Sequence, residues 1–499
     1  RPMPMPRDPS HEPAFRDVDG DGDPDLYVCS DFELPDRFWM NDGKGRFRLI
    51  NKLAIRRTSQ FTMGVDFTDL NRDGHLDFLT VDMLSREHKR RKTQMGMMSP
   101  TPAVVGQVSN RPQIMQNTLF LNRGDNTWAE IAQYAGLKAS EWSWATVFTD
   151  VDLDGHEDLL ISTGMTRDFM DSDALDRIDQ EKAKTREKIL NSSQEVSLTV
   201  DLNYLYPTLE TPNVAFRNRG DMTFEDVSKK WGFKTEAVSG GMALADFDND
   251  GDLDVIINND GKPLEVYRNE TTAPRVAVRL MGLTPNTQAI GAKVRLIGGP
   301  GGPAPQEQEV HCGGGYASGS DTLVVFGTGD KTTGLKLEIT WRNGIKTVVD
   351  DIKPNHRYTV RETGGVPPLR PKPQKPEPLF TNADQLLAPV KRDSGPQLFG
   401  HHHIDKPFDD FKRQSLLPNR LSQLGPSVAW TDTDGDGHED LVIGTGTDGG
   451  STIYRGQAEG GFKGSRGPKS KHDTAGIVGW TAMPGKSALL TGVSNFEAE

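Results

Sequence analysis

DVDGDGDPDLYV, residues 17–28, sets Asp17, Asp19, Asp21, Asp23 and Asp25 on alternate positions, with Gly20 and Gly22 between them. Five carboxylates this close repel one another, and the adjoining sequence offers too little positive charge to pair them. An acidic tail, an EF-hand loop and another kind of cation loop each make a different demand on the rest of the chain.

The pattern returns four times as D-x-[DN]-x-D-G-x-x-D: DLNRDGHLD (69–77), DVDLDGHED (150–158), DFDNDGDLD (246–254) and DTDGDGHED (432–440). A tail would not hold that register. Short, mostly small or apolar segments precede the later copies: MGVDF, WATVF, GMALA and SVAW. The runs LYV, FLTV, LLIS, VIIN and LVIG follow the five loops, so each unit reads strand, acidic loop, strand. A second template, N-x-G-x-x-x-[FW], stands at 41–47, 122–128 and 218–224 and predicts a β-hairpin with an Asn/Gly turn. Four strands per unit, with insertions of varying length, predict an all-β chain of propeller blades. One insertion, SDALDRIDQEKAKTREKIL (172–190), has helix-forming composition and predicts a charged helix on the rim.

The loop spacing suits a hard cation. Side chains at positions 1, 3, 5 and 9 supply oxygens, position 7 its backbone carbonyl, and Gly at position 6 permits the turn. The side-chain ligands are Asp17, Asp19, Asp21 and Asp25; Asp69, Asn71, Asp73 and Asp77; and Asp150, Asp152, Asp154 and Asp158. The remaining loops give Asp246, Asp248, Asp250 and Asp254, then Asp432, Asp434, Asp436 and Asp440. Position 7 is Asp23, His75, His156, Asp252 and His438, and the three imidazoles are expected to face solvent. Asn71 lowers the charge of the second loop. An EF-hand needs a bidentate Glu at position 12 between helices, whereas Val28, Thr80, Ile161, Ile257 and Ile443 stand there inside predicted strands. Magnesium keeps its waters, and zinc or copper favours His and Cys, which leaves calcium. Five such ions would offset most of the net charge of −13.

Composition changes after Asn269. RVAVRLMGL, GAKVRLIGG, TLVVFGTG, LKLEITWRNG and KTVVDDI predict a small antiparallel β domain, with the Gly-rich CGGGYASGS at 312–320. That glycine run lacks the Lys-Ser/Thr and following helix of a phosphate loop.

The acidic loops and their hairpins resemble FG-GAP/VCBS repeats, the blades of integrin-α-like β-propellers. IGAKVRLIGG…GGGYASGSDTLVVFGTG…LEITWRNG resembles the ASPIC/UnbV domain found in secreted bacterial proteins. The resemblance implies blades over 1–271, an ASPIC/UnbV domain over 272–362, a proline-rich linker over 363–384 and further, incomplete blades over 385–499. It also implies an extracellular, periplasmic or cell-surface location and the calcium ligands named above. The chain begins with Arg1 and ends in SNFEAE, and reads as part of a longer protein.

No run of about 18 apolar residues exists to span a bilayer. The excess of 71 acidic over 58 basic residues argues against nucleic acid as partner. Cys29 and Cys312 read as two unrelated buried thiols. Arg123-Gly124-Asp125 and Arg219-Gly220-Asp221 fall in the hairpin template and read as turns rather than integrin ligands. REHKRRK (86–92) reads as a solvated loop, and HHH (401–403) lacks the neighbouring Cys or spaced acid of a metal site. No nucleophile, metalloprotease, phosphate-loop or dinucleotide fingerprint is present. The resemblance, together with that lack, implies a non-enzymatic, secreted or surface-displayed calcium-stiffened propeller that binds a glycan or a protein, or else serves as a purely structural module of a larger surface protein. The alternative is a polysaccharide-degrading lyase or hydrolase on the same scaffold.

Overall fold

The computed structural model describes residues 10–31, 34–94, 112–190, 202–299, 304–331, 333–365, 401, 403–414, 421–423, 426–459, 461–483, 486–494 and 496–497. It is mostly strands, as the loop and hairpin templates require. Each acidic loop joins two antiparallel strands. The first strands are Ser10–Arg16, Gly64–Thr68, Ser143–Thr149, Ser239–Ala245 and Val428–Thr431. Their partners are Asp25–Ser30, Asp77–Val81, Asp158–Thr163, Asp254–Asn259 and Asp440–Ile443. The N-x-G hairpins add the third and fourth strands: Arg37–Asn41 with Phe47–Leu49, Thr118–Asn122 with Trp128–Glu130, and Val214–Asn218 with Phe224–Asp226. The fourth sheet has three strands and ends at Glu265–Tyr267.

The chain divides into two compact units, residues 1–374 and 375–499. In the first, the four leading strands lie side by side in chain order and the sheets pack through their faces. Tyr27, Phe38, Phe78, Phe120 and Trp128 fill one such interface, with the Phe78 and Phe120 rings stacked 4.7 Å apart. Burying rings of this size supplies the non-directional part of the stability. In the second unit, Val428–Thr431, Asp440–Ile443, Gly450–Gly456 and Phe462–Lys469 form a four-stranded sheet, and Asp473–Met483 pairs with Lys486–Ser494.

Residues 275–361 form two sheets around a core that includes Val278, Val294, Phe326, Leu337 and Trp341. The domain is not wholly antiparallel. The chain alternates between the two sheets: Val324–Gly327 pairs antiparallel with Arg275–Met281 on one side, and His356–Arg361 returns parallel to it on the other.

The Gly-rich stretch has a structural task. Its hairpin, Gly313–Gly314 with Ser318–Gly319, lies against the leading strands of all four sheets. Gly315 O accepts from Met242 N at 2.9 Å, and the Tyr316 ring sits 4.9 Å from Trp144. Gly315 has φ +65°, and a Cβ there would collide with the Met242 carbonyl, so glycine is required twice over.

Glu12 lies at this junction, accepting from Val65 N at 3.3 Å. Burial, then the charge of Asp66, pushes its carboxyl up to about 8. A carboxyl raised in the fold stabilises fully below its ordinary range, and that contribution is lost as pH rises through about 8. Glu12→Gln is therefore expected to raise stability by about 2–4 kcal/mol at pH 8.5 and to leave it unchanged near pH 4. Urea melts at the two pH values check this, and equal effects at both would refute it.

Helix Ser172–Leu190 forms over the expected residues and buries Ala174 and Ile178. The basic run is not a loop. Residues His88–Gln94 are helical, Arg86 pairs with Asp226 at 2.5 Å, and Arg90 with Glu141 at 3.3 Å. Cys29 is buried, but Cys312 is exposed on the Gly-rich segment, so only one thiol is interior. Residues 366–384 of the proline-rich linker lie outside the described residues. Among the described residues, no helix is long and apolar enough to cross a membrane.

Candidate metal sites

The five loops share one backbone path. Position 6 is Gly22, Gly74, Gly155, Gly251 and Gly437, with φ between +85° and +96°. Position 4 is also left-handed in all five, at Gly20, Arg72, Leu153, Asn249 and Gly435. The second reversal was not legible beforehand, because Gly, Arg, Leu and Asn all stand at position 4. The two reversals turn the odd-numbered side chains toward one point. Asp17, Asp19 and Asp21 each bring a carboxylate oxygen within 4.8 Å of the others. So do Asp150, Asp152 and Asp158; Asp246, Asp248 and Asp250; and Asp432, Asp434 and Asp440. The second loop, Asp69, Asn71, Asp73 and Asp77, yields no such group of three acids, and Asn71 Nδ2 donates to Asp73 Oδ2 at 2.9 Å.

Position 9 does more than offer an oxygen. Asp25, Asp77, Asp158, Asp254 and Asp440 are at most 1 % exposed. In every copy one carboxylate oxygen accepts the position-2 N–H: Val18, Leu70, Val151, Phe247 and Thr433, at 2.8–3.1 Å. The other accepts from the third strand at Asn41, Asn122, Asn218 and Gly456, and in the fourth copy from Asn269, just beyond that strand. The first three of these are the Asn of the hairpin template. Their side-chain amides donate to the position-8 carbonyls of Pro24, Leu76 and Glu157. The two templates are thus one device, a cation loop tied to the hairpin two strands away.

Position 7 completes the tie. The ring of His75 covers Gly124 and that of His156 covers Gly220, where a Cβ would lie 2.7 and 2.9 Å from Nε2. Asp23 meets Gly43 in the same way. His75 and His156 are half-buried rather than turned to solvent, while His438 is exposed. The arginine-glycine-aspartate tripeptides are turns, as expected: Asp125 and Asp221 accept from the N–H and hydroxyl of Thr127 and Thr223.

The electrostatics are those of carboxylates in want of a counter-charge. Burial is the first cause that raises Asp25 to about 7, Asp77 to about 8, and Asp19 and Asp69 to about 6, with neighbouring acids adding to it. Asp150 and Asp158 are held well above the usual range for the same reasons. Basic residues do reach the loops, from far away in sequence. Lys293 Nζ is 2.9 Å from Asp17, Arg217 Nε 2.5 Å from Asp152, Arg275 3.0 Å from Asp250 and Arg455 3.1 Å from Asp434. Arg275 also stands 3.3 Å from Asp252, the buried position-7 acid of the fourth loop. Even so, Asp17 Oδ1, Asp152 Oδ1 and Asp246 Oδ2 are buried and receive no hydrogen bond. An all-oxygen donor set with unsatisfied buried carboxylate atoms fits a hard divalent cation.

Lys293 and Arg275 belong to the small β domain, and Leu153 of the third loop packs with Ala277, Leu323 and Val325 of that domain. The loops are therefore the surface on which the second module sits.

Residues 17–80, 104–161 and 200–257 match the FG-GAP-like repeat family, and 282–367 match the family described as ASPIC and UnbV. The chain carries FG-GAP-like repeats and an ASPIC/UnbV domain. The repeats imply propeller blades for the four-stranded sheets. Over 249 residues the chain is 24 % identical to cartilage acidic protein 1 of Xenopus tropicalis, covering 46 % of this chain and 38 % of the relative. Over 69 residues it is 39 % identical to cartilage acidic protein 1 of Homo sapiens, covering 14 % and 10 %. The chain thus spans well under half the length of these relatives.

Proposed function

We propose that this chain is an extracellular or cell-surface scaffold whose blades are stiffened by calcium and whose surface binds a glycan or a protein. The observation that carries the calcium reading is the convergence of three acids in each of four loops, with buried oxygens left without donors. Calcium would supply the counter-charge, held by Asp17, Asp19 and Asp21 in the first loop and by the matching acids elsewhere. The resemblance to cartilage acidic protein 1 supports the extracellular setting.

A cavity of about 370 Å³ beside the third loop supports the binding reading. Trp231, Phe233 and Tyr267 line it, and Asp152, Arg268 and Glu270 lie at its polar side. Aromatic faces with charged neighbours suit a sugar ring or an aromatic side chain. Binding is preferred over polysaccharide cleavage because the Gly-rich hairpin and Tyr316 occupy the space bordered by the leading strands.

Two measurements test the proposal. Asp250→Ala is expected to lower the calcium stoichiometry by about one, and calorimetry showing full stoichiometry would remove the fourth loop from the ligand set. Glycan and protein arrays probed with and without EGTA are expected to give calcium-dependent hits that Trp231→Ala abolishes. Binding indifferent to both would refute the surface assignment.

A further inference from the structure

The second unit holds a carboxylate cluster that no repeat loop explains. Asp405, Asp473 and Glu497 come from three separate stretches, yet each brings an oxygen within 4.8 Å of the others. Asp473 is 1 % exposed. Lys406 N donates to Asp405 Oδ1 at 2.8 Å and Gln423 N to Glu497 Oε1 at 2.7 Å, and Thr447 is the donor common to all three acids. Thr447 N donates to Asp405 Oδ1 at 3.2 Å and to Asp473 Oδ1 at 3.0 Å. Thr447 Oγ1 lies 3.1 Å from Asp473 Oδ1 and 3.2 Å from Glu497 Oε2. One hydroxyl proton is thus shared between two carboxylates, which leaves neither with a full donor from this group.

An independent observation points the same way. The Asp405 side chain is only 9 % exposed, and its Oδ2 is buried and receives no hydrogen bond. His403 Nε2 stands 3.6 Å from this oxygen, within ion-pair reach but too far for a hydrogen bond. Leaving a buried carboxylate oxygen without a donor is costly. The backbone is also shaped around this side chain. A Cβ on Gly446 would fall on the Asp405 carboxylate, and one on Gly449 would meet the Ile404 carbonyl at 2.8 Å.

We propose that Asp405, Asp473 and Glu497, with the Thr447 hydroxyl oxygen, form a divalent-cation site for calcium, separate from the repeat loops. Hard oxygens in this number suit calcium. The ion would tie residues 403–405 to the start of strand Asp473–Met483 and to Glu497, closing contacts that the sheet's own hydrogen bonds do not make.

The test is calcium titration of the chelator-stripped full chain by calorimetry, for the wild type, Glu497→Gln and the double variant Asp405→Asn/Asp473→Asn. The expected result is one calcium equivalent fewer in the double variant and at least a tenfold weaker class of one site in Glu497→Gln. Circular dichroism before calcium addition establishes that each variant is folded. Variant isotherms identical to wild type would overturn the proposal. A parallel titration of Asp434→Ala keeps it apart from the repeat loops. If that variant alone loses an equivalent, the fifth loop binds calcium and this cluster does not. If wild type and Asp434→Ala bind equally but the double variant falls by one, this site stands while the fifth loop fails.

Discussion

Excess EGTA is expected to lower the melting temperature of this chain by more than about 10 °C. A ligand that binds only the folded state stabilises it by about 2.7 kcal/mol per site at a hundredfold excess over Kd. Several loops acting together therefore contribute a large share of the 5–15 kcal/mol typical of a folded domain. The structural reason is local. Asp17 Oδ1, Asp152 Oδ1 and Asp246 Oδ2 are buried without donors, and the acids around them repel. Lys293 and Arg217 answer only part of that charge in the first and third loops, and in the fourth Arg275, Arg268 and Arg357 leave Asp246 Oδ2 without a hydrogen bond. Because Lys293 and Arg275 come from the small β domain that packs on the loops, disorder of the emptied loops should also loosen that domain from the blades. Differential scanning calorimetry in calcium and in EGTA measures the effect, and a melt that does not move would sink the calcium reading.

How much of this was legible beforehand follows from the range of each interaction. Strand, loop and hairpin are local, so the fixed spacing from Asp17 to Asp25 and from Asn41 to Phe47 announced them. The same is true of helix Ser172–Leu190, whose composition decides its backbone. What the sequence hid is what the fold brings together. Nothing in DVDGDGDPD foretells Lys293, and nothing in CGGGYASGS foretells that Tyr316 will rest on Trp144. The parallel pairing of Arg275–Met281 with His356–Arg361 was equally invisible, since alternation of apolar residues is the same for either direction. The basic run misled because charge suggests solvent, whereas Arg86 and Arg90 have acidic partners more than fifty residues away. The link between the two templates was within reach in principle. Each Asn of N-x-G follows an acidic loop by one strand pair, but only the hydrogen bonds to Asp25, Asp77 and Asp158 say what it is for.

That link yields the second large expected effect. Asp158→Ala should destabilise the chain by about 3–5 kcal/mol, because it strips the acceptor from two buried N–H groups at about 1–3 kcal/mol each and opens a small void. The donors are Val151 N at 3.0 Å and Asn218 N at 2.9 Å, and the Asp158 side chain is fully buried. This cost belongs to the backbone clamp and not to the ion, so it should persist when calcium is removed. Asp152→Ala provides the contrast. Asp152 Oδ1 has no hydrogen bond and its Oδ2 faces Arg217, so its loss removes a cation ligand and relieves repulsion without orphaning a backbone group. In calcium both variants should melt below wild type; in EGTA only Asp158→Ala should. If the Asp158→Ala deficit vanished in EGTA, position 9 would be a metal ligand alone, and the coupling of loop to hairpin would have to reside in the Asn218 side chain and the His156 ring over Gly220.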